Sequence, residues 1–100
     1  MRSIAILLLS SLPASAEIAT DRANRLEHIV EQDCGSCHGL TMNGGLGSPL
    51  TPTALSATES EGIAEIILEG VPGTAMPRWR PLLSEEDALW IADYLKGRTK

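Results

Sequence analysis

The run Cys34-Gly35-Ser36-Cys37-His38 constrains this chain more than any other feature. C-x-x-C-H is the attachment signature of a c-type haem: each cysteine sulfur adds to one vinyl group of the porphyrin, and the histidine that follows sits beneath the iron as its proximal ligand. A chain built for this has to present two sulfurs and an imidazole to one flat macrocycle and close around it. Other readings use the same residues. A bare Cys34–Cys37 disulfide loop leaves His38 without a purpose. A zinc site from His28, Cys34, Cys37 and His38 has a genuine donor set of two thiolates and two imidazoles. However, His38 follows Cys37 directly, which makes joint ligation of one tetrahedral ion awkward. A thioredoxin-like redox pair needs a βαβ context that the sequence lacks.

The length of 100 residues predicts one domain. Phe is absent, and the aromatic residues are Trp79, Trp90 and Tyr94. A domain this small often needs a staple beyond its own side chains, and a covalently held haem is a large apolar filler. The N-terminus reads as a leader. Met1-Arg2 is a short positive start, residues 4–12 are an apolar run too short for a stable membrane anchor, Pro13 breaks it, and Ala14-Ser15-Ala16 is a small-x-small cleavage site. We expect a signal peptide over 1–16, cleaved after Ala16, and a single haem-carrying domain over 17–100, exported to a periplasm with no membrane anchor left after cleavage. The alternative is a retained N-terminal membrane helix. In such an oxidising compartment two free thiols tend to be oxidised, which is the ground for the disulfide-loop reading of Cys34 and Cys37. The formal net charge is −5, and loss of Arg2 and addition of haem propionates make it more negative. Nucleic acid is therefore excluded as a partner; a basic patch on a protein partner would bias only the encounter rate.

The pattern along the chain is all-α. Thr20 is placed to cap a helix over 21–33 whose buried stripe is Ala23, Leu26, Ile29 and Val30. Residues 39–57, punctuated by Gly44, Gly45, Gly47, Pro49 and Pro52, read as a long loop, and a loop of that length needs something to wrap around. Thr58 as N-cap with Glu61 at N3 predicts a second helix through Ile63, Ile66 and Ile67, stopped by Gly70. After a loop over 71–81, Ser84 caps a last helix carrying Leu89, Trp90, Ile91, Tyr94 and Leu95 and ending at Gly97. No strand pattern or internal repeat is present.

Met76 is the residue best suited to the sixth position on the iron. A thioether is a soft donor that favours the ferrous state, and Met76 lies in a loop stiffened by Pro72 and Pro77. The competing reading is a methionine that only fills core space. Met42 is too close to His38 to reach the opposite face, and His28 reads as a helix-surface residue. A carbonyl near Pro49 is placed to accept the Nδ1–H of His38, against the reading of Pro49 as an ordinary turn residue. Trp79, Arg78 and Arg80 flank Met76 and offer donors for the haem propionates, against a core aromatic and solvated arginines. No carboxylate pair, Ser/His/Asp set or phosphate loop supports hydrolytic chemistry.

With these residues in view, the chain resembles the small monohaem class I cytochromes c. The likeness runs through Cys34-Gly35-Ser36-Cys37-His38-Gly39, Gly47-Ser48-Pro49-Leu50, Ala75-Met76-Pro77 and Leu83-Ser84-Glu85-Glu86-Asp87 to Ile91-Ala92-Asp93-Tyr94-Leu95. It implies a cytochrome c fold in which the first and last helices cross and one haem c sits in a cleft with an exposed edge. Cys34 and Cys37 would be its thioether links, His38 and Met76 its axial iron ligands, and the carbonyl of Pro49 would support His38. Cys37-His38-Gly39-Leu40-Thr41 followed by Gly44-Gly45-Leu46-Gly47-Ser48-Pro49-Leu50 is more narrowly similar to the NirC-type cytochromes of denitrifying bacteria. These are associated with the haem-d1-containing nitrite reductase, as electron donors or in maturation of its d1 cofactor. The resemblance implies a monomeric electron carrier rather than an enzyme, with periplasmic redox proteins, nitrite reductase among them, as partners. An accessory role in haem d1 biosynthesis or reductase maturation is the alternative. A haem enzyme or gas sensor with an open distal site is a third reading, and Met76 speaks against it. Leu40, Met42, Ala75 and Pro77 are the expected apolar rim for transient docking.

Overall fold

The computed structural model describes residues 18–99; the expected leader and its cleavage point lie outside the described residues. The chain opens with α1 (Thr20–Ile29), continues without a break through a π-helical turn (Val30–Cys34) and ends this rod in α2 (Gly35–His38). The junction residues Val30 and Gly35 both keep right-handed helical dihedrals, and the N–H of Gly35 bonds the carbonyl of Val30. The helix expected over 21–33 therefore runs on to His38, with its ladder widened for one turn. It stops at Gly39, whose φ of 94° no other residue adopts readily. At its start Thr20 is not the cap. The carbonyl of Ala19 already accepts the N–H of Ala23 at 2.9 Å, so Thr20 lies inside the first turn and Ala19 occupies the cap position without a side-chain bond.

A second correction falls on α3 (Ser60–Glu69). Thr58 does not cap it; Glu59 holds the cap position in extended conformation, and the carbonyl of Glu59 takes the first helical bond from Ile63 at 3.1 Å. The carbonyl of Thr58 is instead engaged by Lys96 Nζ, which also bonds Leu55 O. Helix α4 (Glu85–Leu95) begins as its sequence predicts. Asp87 N–H donates to Ser84 Oγ and Ser84 N–H to the Asp87 carboxylate, both at 3.0 Å, a reciprocal capping box.

Helix α4 packs on both α3 and α1. Ala88 and Ala92, four residues apart and fully buried, let the neighbouring helices approach closely. Around them the core gathers Leu26 and Val30 from the first rod, Ile63, Ala64, Ile67 and Leu68 from α3, and Leu83, Ile91 and Leu95. Each large aliphatic removed from water here contributes about 1.5–3 kcal/mol. Trp79, Trp90 and Tyr94 stay at the margin, half-buried, with the Trp90 and Tyr94 rings stacked 5.1 Å apart. Arg22 ties α1 to α4 through a two-pronged pair with Asp87, at 3.1 and 2.6 Å. Among the described residues there is no strand, and no helix is long and apolar enough to cross a membrane.

Candidate functional site

The π turn ends on Cys34, and α2 carries Cys37 and His38 directly after it, so three donors sit at the end of the first rod. All three are half-buried, and both cysteines are free thiols. Burial, helped by the charge of Asp33, pushes the Cys34 thiol up to about 11. It is thus a neutral thiol at physiological pH, and a poor attacking group for disulfide exchange.

Residues 39–50 fold back over the end of this rod. Gly44 N–H donates to His38 O at 2.8 Å and Gly47 N–H to Cys37 O at 2.7 Å, which satisfies carbonyls the helix end leaves open. The loop is closed further along by Leu50 N–H bonding Met42 O at 2.9 Å. The return brings Ser48 O to 2.6 Å from His38 Nδ1. A carbonyl only accepts, so Nδ1 carries the proton and Nε2 presents its lone pair to whatever lies opposite. The supporting carbonyl is that of Ser48, one residue before the expected Pro49. Proline restricts its predecessor to extended backbone, so Pro49 acts through Ser48 rather than through its own oxygen. Gly47 has a separate reason to be glycine: a Cβ there would lie 2.7 Å from Cε1 and Nδ1 of His38. Sequence reasoning placed a supporting carbonyl near Pro49 without naming Ser48, and it missed Gly47 as a site component. The only signal was their place between a glycine cluster and a proline.

Met76 lies on a different loop, between α3 and α4. It is half-buried without joining the core cluster, which removes the core-filler reading. Its N–H bonds Thr74 Oγ1 at 3.2 Å, and its carbonyl accepts from Val71 N–H at 3.4 Å. Trp79 packs its ring against the core while its N–H bonds Ile67 O at 3.1 Å. Arg78 and Arg80, expected as propionate donors, are both engaged by Glu69. Met42 is tucked beside Gly35 at a φ of 62° and packs on the core, so it does not belong to the exposed rim. Leu40 (82 % exposed) does, as do Ala75 and Pro77, and Leu46 (95 % exposed) is a rim residue the sequence reading overlooked. Residues 39–58 and 70–77 carry no charged side chain although the chain is acidic overall; the second loop becomes charged only beyond Met76, at Arg78 and Arg80.

The donors fit a c-type haem. Two thiols and an imidazole share the end of one rod, the imidazole is oriented through Nδ1 with Nε2 left over, and the loop that follows exposes the apolar side chains of Leu40 and Leu46. They do not fit zinc: His28 is exposed on α1, and among the described residues no three His, Cys, Asp or Glu side chains converge to hold an ion.

Comparison with known proteins agrees. The family described as cytochrome C oxidase, cbb3-type, subunit III matches residues 21–95. A cytochrome c55X of Paracoccus denitrificans is 52 % identical over 93 residues, covering 93 % of this chain and 90 % of that protein. Among solved structures, a c-type cytochrome NirC superposes with a TM-score of 0.77 at 46 % identity, over 80 % of this chain and 94 % of that one. A dihydro-heme d1 dehydrogenase, NirN, solved in complex with DHE, gives a TM-score of 0.64 at 34 % identity; there the match spans 70 % of this chain but only 15 % of that protein.

Proposed function

The chain belongs to the monohaem c-type cytochromes of the NirC type, and from that premise we propose that it is a periplasmic one-electron carrier that supplies a nitrite reductase in denitrification. The observation that carries this reading is His38, held through Nδ1 by Ser48 O beside two half-buried thiols. Cys34 and Cys37 would hold one haem c per chain through their sulfurs, and His38 Nε2 and Met76 Sδ would be the two donors to its iron. The haem supplies reversible one-electron exchange between ferric and ferrous iron. The rest is the work of the chain. Ser48 O fixes the plane of the imidazole and raises its basicity. Met76, a soft donor, would favour the reduced state and leave no open position for other ligands. Pro49 holds Ser48 extended, and Trp79, three residues after Met76, anchors its side chain on the hydrophobic core. The leader expected over 1–16 supports the periplasmic address. The uncharged stretch over 39–58 with exposed Leu40 and Leu46 supplies an apolar contact area for transient docking.

One observation favours a second reading, an accessory role in haem d1 biosynthesis or reductase maturation: the likeness to part of a dihydro-heme d1 dehydrogenase. Deletion of the gene separates the two. Loss of electron supply to a reductase already loaded with d1 supports the carrier; loss of d1 insertion with normal turnover of loaded enzyme supports the accessory role. The axial assignment has its own test in the ferric spectrum. The methionine-to-iron charge-transfer band is expected in the wild type and absent in Met76→Ala; its survival in the variant would make Met76 a bystander.

A further inference from the structure

Helix α3 ends in Glu69, at the negative end of the helix dipole, with no basic residue in its last turn. The cations that compensate come from the segment that follows Met76. Arg78 Nε lies 3.2 Å from one carboxylate oxygen of Glu69; Arg80 reaches the other through Nε at 2.6 Å and a terminal nitrogen at 2.5 Å. Backbone bonds repeat the attachment: Trp79 N–H donates to Ile67 O at 3.1 Å and Arg80 N–H to Leu68 O at 3.0 Å, taking carbonyls that the last helical turn leaves open. Beneath them Gly70, at a φ of 69°, lies so close to the Met76–Pro77 backbone that a Cβ there would meet Met76 O and the Pro77 carbonyl at 2.9 Å. On the other side of Met76, residues 71–75 are all exposed; they bond one another, as in Thr74 N–H to Val71 O at 3.1 Å, and Met76, through Val71 N–H to Met76 O at 3.4 Å and Met76 N–H to Thr74 Oγ1 at 3.2 Å. Met76 thus joins an exposed stretch to a segment, residues 77–80, that is fastened on the end of α3.

We propose that Glu69 is a positioning residue for Met76: by gripping Arg78 and Arg80 together it holds the methionine loop against the end of α3 and keeps the thioether on the iron. This rests on Met76 being the axial ligand.

The test uses haem-loaded protein in the ferric state, titrated with imidazole, which competes with Met76 for the iron. Glu69→Gln, which keeps the side-chain volume, and Glu69→Ala are each expected to raise the apparent imidazole affinity about three- to tenfold, the scale of losing a small surface ion-pair network. The charge-transfer band should weaken in parallel. Met76→Ala sets the upper limit. Arg22→Ala, which breaks the pair with Asp87 of α4 and touches neither Glu69 nor its two arginines, should lower the melting temperature without changing imidazole affinity. Arg78→Lys keeps the charge but loses the fork and should give a smaller rise, which provides a readout if the Glu69 variants load haem poorly. Wild-type affinity in the Glu69 variants, alongside a large rise in Met76→Ala, overturns the proposal and leaves the axial assignment standing. An equal rise in Arg22→Ala also overturns it, since the effect would then be general loosening. No change in Met76→Ala overturns the axial assignment itself.

Discussion

At the scale of single residues, the imidazole of His38 is set by atoms that no side-chain pattern announces. Its partner is a backbone carbonyl, at Ser48, and its neighbour is the missing side chain of Gly47. Two substitutions separate these contributions. Ser48→Ala leaves the carbonyl in place and should change neither haem content nor melting temperature measurably. Gly47→Ala drives a methyl group into the ring and should destabilise the loaded protein by about 1–3 kcal/mol, the usual cost of overpacking, with a parallel fall in haem content. A melting curve and a haem assay on the two variants check this; equal behaviour would mean the loop yields freely around His38. The C-x-x-C-H run is legible because attachment needs particular side chains at a fixed spacing. The supporting carbonyl is not, because every residue has one, and Pro49 could only mark its neighbourhood.

At the scale of elements, helix ends were legible where a side chain does the capping. Ser84 announces the start of α4, and the structure adds Asp87 as its reciprocal partner. Thr20 and Thr58 look like caps and are not, because Ala19 O and Glu59 O accept the first helical bonds and Lys96 claims the carbonyl of Thr58. That competition comes from the far end of the chain. Asp87 has a double role, capping α4 and pairing with Arg22, and the guanidinium, followed by the Ser84 hydrogen bonds, holds its carboxyl below the ordinary carboxylate range. A depressed folded value means that its contribution is complete above the unfolded value of about 3.9 and is lost as pH falls through the lower folded one. Asp87→Asn should therefore lower stability near neutral pH by about 1–2 kcal/mol, the range of a lost cap, and flatten the pH dependence below about 4. Acid titrations followed by circular dichroism test this, and an unchanged acid limb in the variant would assign the acid sensitivity to other carboxylates.

At the scale of the molecule, hydrophobic patterning predicted three helices and two long loops, but only the family resemblance implied how the first and last helices meet. The structure places Leu26 and Arg22 of α1 against α4 in that arrangement. The fully buried side chains are aliphatic and small, and every aromatic ring stays at the margin. A domain of this size with such a core is marginal on its own. Chain produced without haem attachment should show less helix in the far ultraviolet and a broad melt at lower temperature than the loaded protein; matching cooperative melts would mean the aliphatic core suffices. The π turn at Val30–Cys34 has a different consequence. A π turn amounts to one extra residue in an α-helix, and one residue is roughly 100° of azimuth. The seam that meets α4 and the turn that carries the donors are thus set to separate phases on one rod. Removing a single residue between Val30 and Cys34 would keep every donor and every spacing of the motif, yet swing the whole attachment site about a quarter of the way around the helix. The address of the cofactor is written as an offset in register, independent of the residues that hold it.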